Sequence, residues 1–136
     1  MNLEAQDKRN LSDARMVKAL EFLDDARANL REGRDKTAVN RSYYAALSAA
    51  RAILILEGTN PETHDGVMTM LSLRFVKRGL LAVEVVKDFK LLLSRRTDVD
   101  YGDFDTIDRP DAEDSIRLAE RMLSVIDAAR QRLLLS

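Results

Sequence analysis

Two prolines and five glycines are all that this 136-residue chain offers for breaking regular structure, and most of them fall between runs of apolar residues at helical spacing. So few breakers favour long helices over many short strands and turns. Ser12 and Asp13 read as a capping hydroxyl and a first-turn carboxylate, and Met16, Leu20, Leu23, Ala26 and Leu30 follow as one stripe ending at Gly33. These residues predict a first helix over about 12–32. A second helix is expected over about 35–57, closed by the turn Gly58-Thr59-Asn60-Pro61. Thr63 caps a third, which extends to about Arg78 before Gly79, and Val86, Phe89 and Leu93 mark a fourth over about 82–96. The polar, acidic stretch from Asp98 to Pro110 reads as a loop. Pro110 then enters the first turn of a fifth helix, with Asp111, Glu113 and Asp114 at its positive end and Ile116, Ala119, Leu123, Ile126 and Leu133 as its stripe. No alternating β pattern is present. The expected fold is all-α: an antiparallel up-down bundle of five helices, four long and one shorter, forming a single domain over 1–136 with residues 1–10 mobile.

The second helix is the unusual one. Val39, Tyr43, Leu47, Ala50 and Leu54 share a stripe facing the core. A second face, roughly 140° away by helical arithmetic, carries Arg41, Tyr44, Ser48, Arg51 and Ile55. Ala45, Ala49 and Ala52 flank it and allow another helix to approach closely. A helix apolar nearly all round is buried on more than one side, and a second subunit is the expected source of that burial.

Composition narrows the function. Nearly half the residues are apolar and a third are charged, which excludes a disordered chain. The absence of cysteine excludes disulfides, thiolate metal sites and cysteine nucleophiles. The N-terminal segment is polar, and the longest apolar run, Ala52 to Leu56, is too short to cross a bilayer, so no membrane is expected and a cytoplasmic location is the default. A net charge of −1 leaves no basic surplus for nucleic-acid binding through the overall field. Any such role rests on a local site or on a partner. The carboxylates Asp98, Asp100, Asp103, Asp105 and Asp108 lack the glycine and terminal glutamate of an EF-hand and read as a solvated loop, so no metal or other cofactor is expected.

The segment Ala38-Val39-Asn40-Arg41-Ser42-Tyr43-Tyr44-Ala45-Ala46 resembles the helix signature of small prokaryotic HEPN-domain proteins. The resemblance continues through Ala50-Arg51-Ala52-Ile53-Leu54, Gly58 and His64-Asp65-Gly66-Val67, and resumes in Arg96-Thr97-Asp98-Val99-Asp100-Tyr101. It covers about residues 15–130. It implies a helical bundle that dimerises and, in many members, cleaves RNA without a metal by pairing an arginine with a histidine across two protomers. Many such proteins belong to toxin–antitoxin pairs, often beside a nucleotidyltransferase partner. Arginine grips phosphate and stabilises developing charge, while histidine moves the ribose 2′-hydroxyl proton.

The resemblance places that catalytic arginine at Arg41 and the histidine seven positions on, where this chain has Ser48, whose hydroxyl cannot serve as a general base near neutrality. Binding of RNA or a nucleotide without ordinary cleavage is therefore the leading expectation, through Arg41, Tyr44, Ser48, Arg96, Asp100 and Tyr101. Cleavage is the alternative, and needs the sole histidine, His64, beside Arg41. A third reading is a bundle that only dimerises or binds protein. Arg41 could equally join a buried polar network with Asp100 and Tyr101. Tyr43 reads as packing, Arg95 and Arg96 as a solvated helix end with Lys87 and Lys90, and Met68, Met70 and Met122 as core filling.

Overall fold

The computed structural model describes residues 4–103 and 106–136, so the expectation for Asp105 lies outside the described residues. Five helices run in the order α1 Ala5–Arg31, α2 Asp35–Leu56, α3 His64–Leu71, α4 Glu84–Tyr101 and α5 Arg109–Leu135. α3 passes directly into a π-helical turn, Ser72–Val76. The fold is all-α, and among the described residues there is no strand.

The breakers act where the sequence places them. Gly58 takes a φ of 74°, which lets its N–H reach Ile55 O at 2.9 Å and the Thr59 N–H reach Leu54 O at 3.2 Å. These two bonds satisfy carbonyls that the end of α2 would otherwise orphan. Thr63 Oγ1 accepts the Gly66 N–H at 3.0 Å and opens α3. α5 begins with a capping box: Asp108 accepts the Asp111 N–H at 3.0 Å, and Asp111 accepts the Asp108 N–H at 3.2 Å.

Three boundaries differ from expectation. α1 starts at Ala5, so residues 5–10 are helical and Ser12 is no cap. Its hydroxyl is buried and donates to Ala52 O at 2.6 Å, a tertiary bond in place of a local cap. The third helix ends as an α-helix at Leu71 rather than near Arg78. The wider π turn keeps Phe75 buried four residues after buried Leu71. α4 continues past Arg96 to Tyr101, because Arg96 and Asp100 pair one helical turn apart at 2.8 Å and Val99 is half-buried there.

α2 is the axis of the bundle, with α1, α5, α4 and α3 packed around it. Ala38, Ala45, Ala46, Ala49, Ala50 and Ala52 are fully covered, as are Val39, Tyr43, Ile53 and Leu54. Small side chains on opposite sides of one helix admit neighbours at close range on each. Ala45, Ala49, Ala52 and Ile55 are therefore buried by this chain's own helices, and the burial assigned above to a second subunit is intramolecular.

Charged side chains join the outer helices. Arg121 forks onto buried Asp88 with contacts of 2.9 and 2.7 Å, linking α5 to α4. Arg130 of α5, itself buried, reaches Asp13 of α1 at 2.6 Å and Asp127 at 3.0 Å. Arg95 meets Asp114 at 2.8 Å and donates to Ser115 at 3.1 Å. Arg95 and Arg96, each with only 16% of the side chain exposed, are thus tertiary links and not the solvated helix end expected from sequence. Among the described residues, no helix is long and apolar enough to cross a membrane.

Candidate functional site

One strip of α2 is not sealed by its neighbours. Asn40, Arg41, Tyr44, Leu47, Ser48 and Arg51 recur at three- and four-residue spacing and are each half-buried. α1 lies along one side of the strip and α4 along the other, so both touch Tyr44: its ring lies 5.8 Å from Phe22 of α1, and its hydroxyl accepts Arg96 Nη2 of α4 at 3.1 Å.

Arg96 organises the α4 side. Its guanidinium sits 5.6, 5.7 and 6.0 Å from the ring centres of Tyr43, Tyr44 and Tyr101. Its Nε lies 2.8 Å from Asp100 Oδ2, an ion pair whose alignment falls short of a hydrogen bond, so the buried Nε has no aligned acceptor. Burial opposes the Arg96 charge, but the oxygens of Tyr44, Asp100 and Tyr101 outweigh it and raise its pKa. The result is a fixed cation caged by three aromatic rings and one carboxylate. Tyr101, at the rim, is 72% exposed.

Beneath this cage Tyr43 is fully buried, stacks on Phe89 at 5.6 Å and is hydrogen-bonded through its hydroxyl to His64 Nδ1. Burial pushes the Tyr43 phenol well above its ordinary pKa, with Arg96 opposing the shift.

The HEPN domain family matches residues 12–129, which span nearly all of this bundle, including the α2 strip and the Arg96 cage. The chain belongs to the HEPN domain family. It is 34% identical over 110 residues to a UPF0332 protein of Thermotoga maritima, an alignment covering 81% of this chain and 83% of the relative. It is 32% identical over 102 residues to a Methanocaldococcus jannaschii protein named as a candidate toxin, covering 73% of each.

Within this HEPN domain the residues expected to act together divide into groups. Tyr44, Arg96, Asp100 and Tyr101 form the cage. Ser48 lies one turn along α2 and lines an adjoining groove. Arg41 stands apart: it donates to Asn40 Oδ1 at 2.8 Å and lies 3.7 Å from Asp25 Oδ2 of α1. The network foreseen for Arg41 with Asp100 and Tyr101 is built instead by Arg96. His64 contacts Tyr43, and its ring lies 5.5 Å from the Tyr43 ring. Sequence reasoning missed the α1 wall, Arg15, Lys18 and Phe22, although their three- and four-residue spacing marks one helix face. It also missed the Tyr43–His64 bond, which no spacing rule could disclose across 21 positions. Among the described residues no cluster of His, Asp and Glu is arranged to hold a metal ion.

Proposed function

We propose that this HEPN chain is an RNA- or nucleotide-binding module of a prokaryotic toxin–antitoxin-like system, acting without the usual arginine–histidine pair. The observation that carries the reading is the Arg96 cage beside the open strip of α2. A fixed guanidinium, the Tyr44 hydroxyl and the exposed Tyr101 ring supply a cation, a donor and a stacking face within one site. Arg41 and Ser48 extend the strip, Arg41 as a second phosphate contact and Ser48 as a hydrogen-bond donor. Asp100 orients Arg96. Relatives named as candidate toxins support the toxin part of this reading. A nucleotidyltransferase as partner protein and a cytoplasmic location complete the proposal.

The domain is also proposed to pair with a second copy. Since the apolar faces of α2 are covered, the apolar surface for pairing lies on α1 and α5, where Val17, Leu20 and Val125 are exposed and a hollow is lined by Leu20, Leu23 and Leu123.

The test combines binding and cleavage of end-labelled single-stranded RNA in chelator, using wild type, Arg96→Gln, Arg41→Ala and His64→Ala. Binding weakened about tenfold or more by Arg96→Gln, with RNA left intact, is the expected result. Tight RNA binding unaffected by either substitution overturns the site. Cleavage abolished by His64→Ala supports the alternative, a metal-independent ribonuclease. It needs His64 beside Arg41; within one chain His64 bonds Tyr43 and Arg41 faces Asp25, so that pair would form only across two copies. Absence of binding and cleavage leaves the protein-interaction bundle.

A further inference from the structure

Seven arginines of the described chain are buried or half-buried. Five of them, Arg27, Arg41, Arg95, Arg96 and Arg130, have a carboxylate within salt-bridge distance. The remaining two are Arg15 of α1 and Arg51 of α2, and they lie side by side. Arg15 Nη1 donates to Arg51 O at 3.1 Å, and Arg15 Nη2 donates to Asn60 Oδ1 at 3.0 Å. Arg51 Nη2 donates to that same Asn60 oxygen at 3.3 Å. Arg51 Nε is buried and has no acceptor among the described residues. Two guanidiniums thus share one neutral amide oxygen, in a protein that supplies acid to its other part-buried arginines. Burial and the Arg51 charge together lower the Arg15 pKa, so the pair is electrostatically unfavourable as it stands. A dianion between them would offset the repulsion and accept hydrogen bonds from both guanidiniums.

The pair opens into a groove of about 330 Å³, the size of a small-ligand site. Lys18 stands on its α1 wall, with Nζ 5.9 Å from the Phe22 ring. Its far end is formed by Phe22 and Tyr44, whose rings are 5.8 Å apart and tilted by 33°. Ser48 lies between the cations and the aromatics along α2. A concentrated cationic end, a central hydroxyl and an aromatic end match the phosphate, sugar and base of a nucleoside phosphate.

We propose that Arg15, Arg51 and Lys18 form a phosphate subsite, with Phe22 and Tyr44 as its base-stacking face, that takes a nucleoside phosphate, free or as one unit of a single-stranded RNA. This deepens the RNA or nucleotide reading above and rests on it for the identity of the ligand. The cationic pair itself stands on the geometry. Because Tyr44 belongs both to this groove and to the Arg96 cage, a strand seated here runs on toward Tyr101.

The experiment uses the full chain as wild type, Arg15→Gln/Arg51→Gln, Arg51→Lys and Arg96→Gln, with far-UV circular dichroism confirming the helices. Thermal unfolding is followed with inorganic phosphate against chloride at matched ionic strength. Adenosine 5′-monophosphate and a labelled single-stranded oligoribonucleotide are then titrated separately. Phosphate is expected to raise the wild-type Tm and to leave the double variant unmoved, with Arg51→Lys intermediate because it keeps charge but loses the fork. The double variant should lose about tenfold or more in oligonucleotide affinity, and its salt slope should fall by about one to two. A mononucleotide that binds as the strand does, and is insensitive to Arg96→Gln, identifies the free nucleotide as the source. Strand binding without mononucleotide binding identifies RNA. If RNA binds the double variant as it binds wild type, this subsite is overturned and the Arg96 site stands. If phosphate stabilises through Arg15 and Arg51 while no RNA or nucleotide binds, the subsite stands as an anion site and the RNA reading falls. If the double variant does not fold, Arg51→Gln alone replaces it, and an unchanged phosphate response there overturns the proposal.

Discussion

Arg41 and Arg96 look alike in the sequence, each beside tyrosine-bearing segments, yet their surroundings give them unequal weight. Arg41 pairs at 3.7 Å with a carboxylate that is 63% exposed, so Arg41→Ala should change stability by no more than about 0.5 kcal/mol. Arg96 holds Tyr44, Asp100 and three rings, and Arg96→Gln should cost about 1–3 kcal/mol by urea unfolding. Equal costs would contradict this ranking. Tyr43 provides a separate, pH-dependent check. Its phenol titrates higher in the folded chain than in the unfolded one, so the folded state holds the extra proton at high pH. The associated stability is complete below about pH 10 and is lost above it, at about 1.4 kcal/mol per pH unit until the folded phenol itself ionises. Tyr43→Phe should remove that alkaline decline, read as the difference in urea midpoint between pH 8 and pH 11 for the two proteins. The cage was half legible in the sequence. The family resemblance marked Tyr44, Arg96, Asp100 and Tyr101, but whether Arg41 or Arg96 would join Asp100 and Tyr101 depended on how far α4 ran, and the acidic residues after Arg96 disguised that length.

Elements were easiest to read where backbone geometry dictates them. Gly58 and Thr63 end or begin helices by local hydrogen bonds, and the sequence shows both directly, whereas Asp108, read as part of a solvated loop, instead caps α5 through its box with Asp111. Ser12 misled because the same hydroxyl can cap a helix or bond across the bundle, and only packing chooses between them. α2 misled in a different way. Its all-round apolar character correctly signalled burial on several sides but carried no information about which chain does the burying. That crowding makes α2 intolerant of volume: Ala49→Leu should destabilise by about 1–3 kcal/mol, since Ala49 is fully covered and its neighbours are rigid helices. A cost near zero in chemical denaturation would mean that α1 or α5 stands further off than the structure places it.

For the molecule as a whole, the covered apolar faces of α2 move the expected pairing surface to α1 and α5. Sedimentation equilibrium should find a dimer that Leu20→Glu converts to monomer, with Ser48→Glu on the open α2 strip leaving it intact. Dissociation by the α2 substitution alone would place the interface where the sequence first suggested. A chain with a net charge of −1 offers RNA no long-range attractive field, so raising salt should weaken binding less than removing Arg96 does.

The clamp between Arg130 and Asp13 spans 117 positions, and Arg130 also reaches Ser12, whose hydroxyl in turn holds the Ala52 carbonyl of α2. Local helix formation can be fast, but joining the first helix to the last must wait for the last to exist. A ribosome making this chain from its N-terminus leaves one side of α2 bare, with its packed alanines facing water, until α5 emerges. A nascent chain arrested before Arg109 would therefore carry helices but no closed core. Resistance to proteolysis should arrive late in synthesis and in a single step.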